Sequence, residues 1–208
     1  KINTLDFSIT RIDLKGNDVV RTLYKDKKGN IWIGTASGLI SIRHDLGMIH
    51  YTAENNQLSH NTVRSIFVDD EENLWVGTYD KLNLLQKNTD QFISFDLKEN
   101  YKPELKNNLI QDIKPVADKD SVLWIGTETG LCLFNKYTHN YISYRASTSG
   151  LSNEVIKNIF SDAIGNVWLG TDFGLNVFNP QTKTIAKYFN NPNLRYSIAN
   201  NVVWQIME

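Results

Sequence analysis

Residues 58–95 read LSHNTVRSIFVDDEENLWVGTYDKLNLLQKNTDQFISF, and residues 151–189 repeat the plan as LSNEVIKNIFSDAIGNVWLGTDFGLNVFNPQTKTIAKYF. Their shared core, Trp-x-Gly-Thr, occurs four times, as Trp32-Ile33-Gly34-Thr35, Trp75-Val76-Gly77-Thr78, Trp124-Ile125-Gly126-Thr127 and Trp168-Leu169-Gly170-Thr171. The tryptophans lie 43, 49 and 44 residues apart. A period in the forties built on short apolar runs marks a propeller or solenoid.

An apolar anchor twelve residues before most of the tryptophans extends the unit to Val20, Val63, Ile110, Ile156 and Val203. The third interval is fourteen, which predicts a longer turn there. Units therefore run over about 18–57, 58–104, 105–150 and 151–197, with a partial unit at 198–208, inside one domain or partial propeller spanning 1–208. Turn signals divide each unit into four β-rich runs, strands A to D; in the second unit these are Val63 to Val68, Leu74 to Thr78, Leu82 to Leu85 and Phe92 to Phe95. The expected fold is all-β, a propeller of four-stranded antiparallel blades: four complete blades with partial blades at both ends.

The turns follow the same logic. Asp26 to Asn30 and Asp162 to Asn166 join A to B, an Asx side chain capping the turn and Gly29 or Gly165 taking a positive φ. Thr-x-x-Gly joins B to C through Gly38, Gly130 and Gly174. The second unit has Glu72 and Lys81 at these glycine positions, so its turns are expected to be less regular. Each tryptophan is large enough to fill the gap between stacked blades. Burying about 150–250 Å² at roughly 25 cal/mol per Å² gives at most about 4–6 kcal/mol, which assigns the tryptophans to packing. The glycine two residues later leaves room for a neighbouring backbone.

Composition narrows the function. A net charge of −1 from mixed signs gives no electrostatic case for nucleic acid or an anionic membrane. The single cysteine, Cys132, lies in a strand C run and reads as a buried, inert thiol. No apolar run approaches eighteen residues, so a membrane would be met only through segments outside this chain. Phe7 to Ile12 reads as a lone strand D and Val203 to Met207 as a strand A without its tryptophan, which predicts an open arc or a piece of a larger propeller.

Leu58-Ser-His-Asn-x-Val63, Asp69 to Glu72, Asn73-Leu-Trp-Val-Gly-Thr78 and the linker at 191–204 together resemble the two-component regulator propeller repeat. The resemblance implies a seven-bladed propeller in the sensor region of a hybrid two-component system of Bacteroidetes-like bacteria. It further implies a periplasmic location, an oligosaccharide ligand, a homodimer through the sensor region, and a histidine kinase beyond this chain.

Beside the anchors stand Arg21, Arg64, Gln111, Lys157 and Trp204. Side chains alternate along a strand, so these equivalent positions should point the same way at the mouth where blades converge. Three cations, an amide and an indole suit an anionic or hydroxylated ligand, the indole stacking on a sugar ring and the guanidinium forking onto a carboxylate. The B to C turns add Tyr79, Asp80, Glu128, Asp172 and Phe173. Against this stands the plainer reading that the cations pair with carboxylates and the aromatics fold over their own blades.

Nothing points to catalysis or a cofactor. The four histidines show no ligand spacing, Gly-Thr-x-x-Gly is not followed by a phosphate-binding helix, and Asp69 to Glu72 aligns with solvated turns of sister units. The expectation is a non-enzymatic sensor module with no cofactor and no metal. The alternatives are a propeller polysaccharide lyase or glycosidase using Lys157, Arg64 and the turn carboxylates, and an interaction platform built on unpaired strand edges.

Overall fold

The computed structural model describes residues 18–43, 47–55, 57–97 and 109–207, which form four sheets of four antiparallel strands each. Blade 1 holds β1 (Val20–Lys25), β2 (Ile31–Thr35), β3 (Leu39–Arg43) and β4 (Gly47–Tyr51). Blade 2 holds β5 (Val63–Val68), β6 (Leu74–Thr78), β7 (Leu82–Leu85) and β8 (Phe92–Phe95), the limits read from sequence. Blade 3 holds β9 (Ile110–Val116), β10 (Lys119–Thr127), β11 (Gly130–Asn135) and β12 (Tyr141–Tyr144); a single helical turn, α1 (Ala146–Ser149), leads to blade 4, with β13 (Ile156–Ser161), β14 (Val167–Thr171), β15 (Leu175–Asn179) and β16 (Thr184–Tyr188).

Spatial order follows chain order within every blade. The A strands also contact one another in sequence, β1 on β5, β5 on β9 and β9 on β13, so they form the inner wall from which the blades radiate. The all-β propeller architecture expected from the repeat is the one observed. The longer third turn appears as a longer β9–β10 hairpin. Of the two incomplete ends, Phe7 to Ile12 lies outside the described residues, and Val203 to Met207 forms no strand.

Three apolar clusters fill the three junctions, each headed by the tryptophan of the preceding blade. Trp32 packs with Leu58, Val63 and Val76, Trp75 with Ile110, Ile113 and Phe134, and Trp124 with Ile156, Leu169 and Phe178. These three indoles are 5%, 1% and 2% exposed, whereas Trp168 is only half-buried because no blade lies against it among the described residues. Burial of the staple is thus supplied by the next blade.

The glycine of each Trp-x-Gly-Thr sits against the anchor of the following blade. A Cβ on Gly34 would stand 2.6 Å from Val63 Cγ1, one on Gly77 2.7 Å from Ile110 Cγ2, and one on Gly126 3.0 Å from Ile156 Cγ2. The expected backbone approach is found at Gly170, 2.6 Å from the Val203 carbonyl oxygen, and at Gly126, 3.2 Å from the Ile156 carbonyl oxygen; at Gly34 and Gly77 side chains occupy the space. Val203 also donates its N–H to the Thr171 carbonyl at 2.9 Å, so the fifth anchor docks although its segment is not a strand.

The A–B turns do more than reverse the chain. Asp26, Asp69 and Asp162 each cap their own turn and accept the indole N–H of the tryptophan six residues on, at 3.2, 2.9 and 2.9 Å. Each carboxylate therefore fixes a tryptophan as well as a turn.

Two expectations need correction here. The run Asp69 to Glu72 is not a simple solvated turn, because Asp69 is 4% exposed and pairs at 3.2 Å with Lys136, itself 8% exposed, from blade 3. Burial pushes the Asp69 carboxyl up, but the Trp75 indole, the Asn73 amide and the Lys136 ammonium outweigh it and hold the group below the ordinary aspartate value. Nor is this turn irregular. Glu72 adopts φ 66°, the left-handed conformation of Gly29 and Gly165 at φ 86°, with the same bond back to the aspartate carbonyl. Lys81 does depart from its sister glycines, having no positive φ, yet its carbonyl still accepts the Thr78 N–H and hydroxyl.

Candidate functional site

Strand A bears a β-bulge in every blade, and the sequence-selected polar residue sits on it. In blade 2, Val63 opposes Thr78 and Ser65 opposes Gly77, leaving Arg64 as the extra residue. The same break leaves Arg21, Gln111 and Lys157 unpaired in blades 1, 3 and 4. A bulge re-aims its side chain and bends the strand. The four positions are therefore equivalent in backbone as well as in alignment, at the B–C turn end of the inner strands.

Contacts link them into two groups. The Arg64 guanidinium donates to Gln111 Oε1 through Nε at 3.2 Å and Nη2 at 2.7 Å, a fork closed on one amide oxygen. Tyr79 lies between two guanidiniums, with the Arg21 and Arg64 carbons each 5.9 Å from its ring centre, and stacks on His60 at 5.7 Å. Tyr79 is thus half-buried and held from three sides rather than free in its turn. Each cation–π contact at this exposure contributes on the order of 0.5–1 kcal/mol.

At the other end, Lys157 Nζ is 2.9 Å from Asp172 Oδ1 and stands 4.0 Å above the Trp204 ring. Trp204 is 66% exposed and Arg21 is exposed, so the two ends of the row carry open π and guanidinium surfaces. Phe173 is exposed too, paired with Phe189 at 5.5 Å. Among the turn acids, Glu128 is exposed and Asp80 lies 4.0 Å from Lys81.

One row of residues escaped the sequence reading. Thr22, Ser65, Asp112 and Asn158 follow the bulge residues and face the glycines of their own blades. Asp112 Oδ2 accepts the backbone N–H of Ile159 and the amide N–H of Asn158, both at 2.9 Å, and Asn158 Oδ1 accepts the Ile206 N–H at 2.8 Å. These are latches from one inner strand to the next and from β13 to the docked segment after blade 4. Burial pushes the Asp112 carboxyl up; the Lys114 ammonium and the N–H groups of Ile159 and Ile113 oppose that without overcoming it. Ser65 is too short to latch, and its buried hydroxyl has no hydrogen-bond partner. The signal was present as a polar residue two positions after each anchor.

Among the described residues no group of three or more histidine, cysteine or acidic side chains could hold a metal ion, and no helix is long and apolar enough to cross a membrane. Cys132 is buried, with Ser143 Oγ 3.6 Å from its sulfur.

Residues 13–37, 57–80 and 150–173 match the family model described as the two component regulator propeller. The unmatched blade is the third, whose longer hairpin carries Asp118 at its tip and whose Trp124 rests on Tyr144 and Phe178. The fold is similar to the extracellular domain described as that of the hybrid two-component system BT3049 of B. thetaiotaomicron, at 29% identity and TM-score 0.73, over 90% of this chain and 25% of that one. The corresponding domain of BT4673 from the same organism gives 23% identity and TM-score 0.79, over 89% and 24%. Virginiamycin B lyase from Staphylococcus aureus shares the fold alone, at 14% identity and TM-score 0.70, over 92% and 63%. The chain thus spans about a quarter of the two-component domains. No curated protein matches the sequence.

Proposed function

We propose that this array of two-component regulator propeller repeats is part of an extracytoplasmic, periplasmic sensor, and that the bulge row at its mouth takes an oligosaccharide fragment. The observation that carries the reading is the fourfold bulge. One backbone device presents a polar side chain of one of three types in each blade, Arg21, Arg64, Gln111 and Lys157, while the anchors stay apolar. Variation along this ring of re-aimed side chains fits recognition of an asymmetric ligand.

Chemically, Arg21 and Arg64 offer fork geometry for a carboxylate or sulfate, and Tyr79 and Trp204 offer faces for sugar rings. A ligand engaging Arg64 would compete with Gln111 for its guanidinium, giving the row a bound arrangement distinct from the free one. Differential contacts of this kind let a ligand favour one mutual arrangement of two propellers in a homodimer and reach a histidine kinase. The lyase or glycosidase reading is weaker. Asp172 is matched to Lys157, and the turn carboxylates come from separate blades, whereas glycoside hydrolysis needs two carboxyls about 5–9.5 Å apart, one as acid.

Thermal-shift measurement against acidic and neutral oligosaccharides tests the reading. Stabilisation by an acidic member, reduced by raised salt, is expected. No stabilisation by any member would overturn direct sensing by this segment.

A further inference from the structure

The repeat supplies an internal control for the face opposite the mouth, where A–B and C–D turns of adjacent blades meet. At the junction of blades 2 and 3 that space is filled from within: Lys136 crosses from blade 3 and places Nζ 3.2 Å from Asp69 Oδ2, the oxygen that also accepts the Trp75 indole N–H. Register makes Lys87 the counterpart of Lys136, because Leu84 opposes Trp75 as Leu133 opposes Trp124. Asp26 is the counterpart of Asp69, and its Oδ2 likewise accepts the Trp32 indole at 3.2 Å and the Asn30 amide at 2.8 Å.

Yet Lys87 does not cross to Asp26. It is held 3.1 Å from Glu72 Oε1, while Lys28 of blade 1 holds Oε2 at 2.6 Å. Glu72 stands where the sister turns have glycine, at φ 66°, which an L-residue adopts at a cost. The result is a cavity of about 270 Å³ between blades 1 and 2, walled by Tyr24, Asp26, Trp32 and Glu72, with Lys27, Lys28, Arg43 and Lys87 also in its lining, and edged by the turn at Asn88 and Thr89. Among the described residues Asp26 forms no ion pair, the Lys28 ammonium, seated on Glu72, acting on it only from longer range.

We propose that this cavity binds a small molecule through a primary ammonium group, seated on Asp26 as the Lys136 ammonium is seated on Asp69. The sister junction shows that a carboxylate bearing a turn and an indole N–H accepts an ammonium on the same oxygen. A charge-assisted bond of this type is roughly twice as strong as a neutral one. Glu72 holds the Lys28 and Lys87 ammonium groups in the cavity wall, off Asp26, and Tyr24, Asn88 and Thr89 supply hydrogen-bonding groups at the rim for the rest of the molecule. This site is independent of the mouth.

The test uses the whole 208-residue chain. Indole N–H resonances are followed by NMR during titration with n-butylammonium, a mimic of the lysine side chain, and with 1-butanol as its neutral counterpart; glucosamine and 1,4-diaminobutane distinguish a ring from a chain as the amine's body. A saturable shift of the Trp32 resonance by the amines and not by 1-butanol is expected, with Trp75 unmoved. Glu72→Gly should free Lys87 to reach Asp26 and weaken amine binding at least tenfold, without loss of folding because glycine relieves the positive φ. Lys136→Ala should make the Trp75 resonance newly responsive to n-butylammonium. An unmoved Trp32 resonance, an equal response to 1-butanol, or full amine binding by Glu72→Gly would each overturn the proposal.

Discussion

Replacing Trp75 by alanine should be far more damaging than the same change at Trp168, although the two residues occupy identical positions in the repeat. Trp75 is 1% exposed, contacts Ile110, Ile113 and Phe134 across the junction, and donates its indole N–H at 2.9 Å to the buried Asp69. Loss of a buried aromatic side chain costs about 3–5 kcal/mol, and stripping a donor from a buried carboxylate adds about 1–3 kcal/mol. The sum approaches the whole stability of a typical domain, about 5–15 kcal/mol. Trp168 is half-buried, and its partner Asp162 is less enclosed than Asp69, so about 2 kcal/mol is expected there by scaling the packing loss with burial. Urea unfolding followed by circular dichroism, fitted with a common slope, gives both values. Equal losses at the two sites would refute the assignment of staple burial to the following blade.

The two buried aspartates should respond to pH with opposite sign. Asp69 is held below the ordinary aspartate value, so the stability it confers is present above pH about 3.8 and lost as pH falls below it; the advantage of wild type over Asp69→Asn in urea should shrink from pH 7 towards pH 3. Asp112 is pushed up, so ionising it in the folded state costs stability as pH rises from about 3.8; the advantage of wild type over Asp112→Asn should be larger at pH 4 than at pH 7. Advantages that vary with pH in the same direction would contradict the two environments. Gly77→Ala places a methyl 2.7 Å from Ile110 Cγ2 and should cost about 1–3 kcal/mol by thermal melt, whereas wild-type stability in this variant would remove the glycine–anchor contact from the packing scheme.

Strand limits in the second unit were legible because strand identity here is local. Val63–Val68, Leu74–Thr78, Leu82–Leu85 and Phe92–Phe95 are short β-branched or aromatic runs between strong turn formers, and tertiary context only confirms them. Alignment also located Arg21, Arg64, Gln111 and Lys157 as equivalents. It could not show that each is a bulge residue, since a bulge is a relation between two strands. Long-range polar chemistry stayed hidden for the same reason. Asp69 read as one acid in an acidic run, and only the fold brings Lys136, 67 residues away, onto it. Tyr79 read only as a turn aromatic because its partners Arg21 and His60 belong to a neighbouring strand and to the linker before its blade. The difference between Trp75 and Trp168 was illegible in principle, because it depends on what lies against each blade.

Ligand recognition at the bulge row is tested most directly by isothermal titration of an acidic oligosaccharide, such as an oligogalacturonide, into the wild-type chain and into Arg64→Ala. Arg64 is partly exposed, so its removal should leave the fold intact. A binding mouth predicts measurable heat with the wild-type chain and affinity at least tenfold lower in Arg64→Ala, the loss of a forked charge-assisted contact being about 1.4 kcal/mol or more. Equal affinities in the two proteins would show that the row is not where the ligand sits.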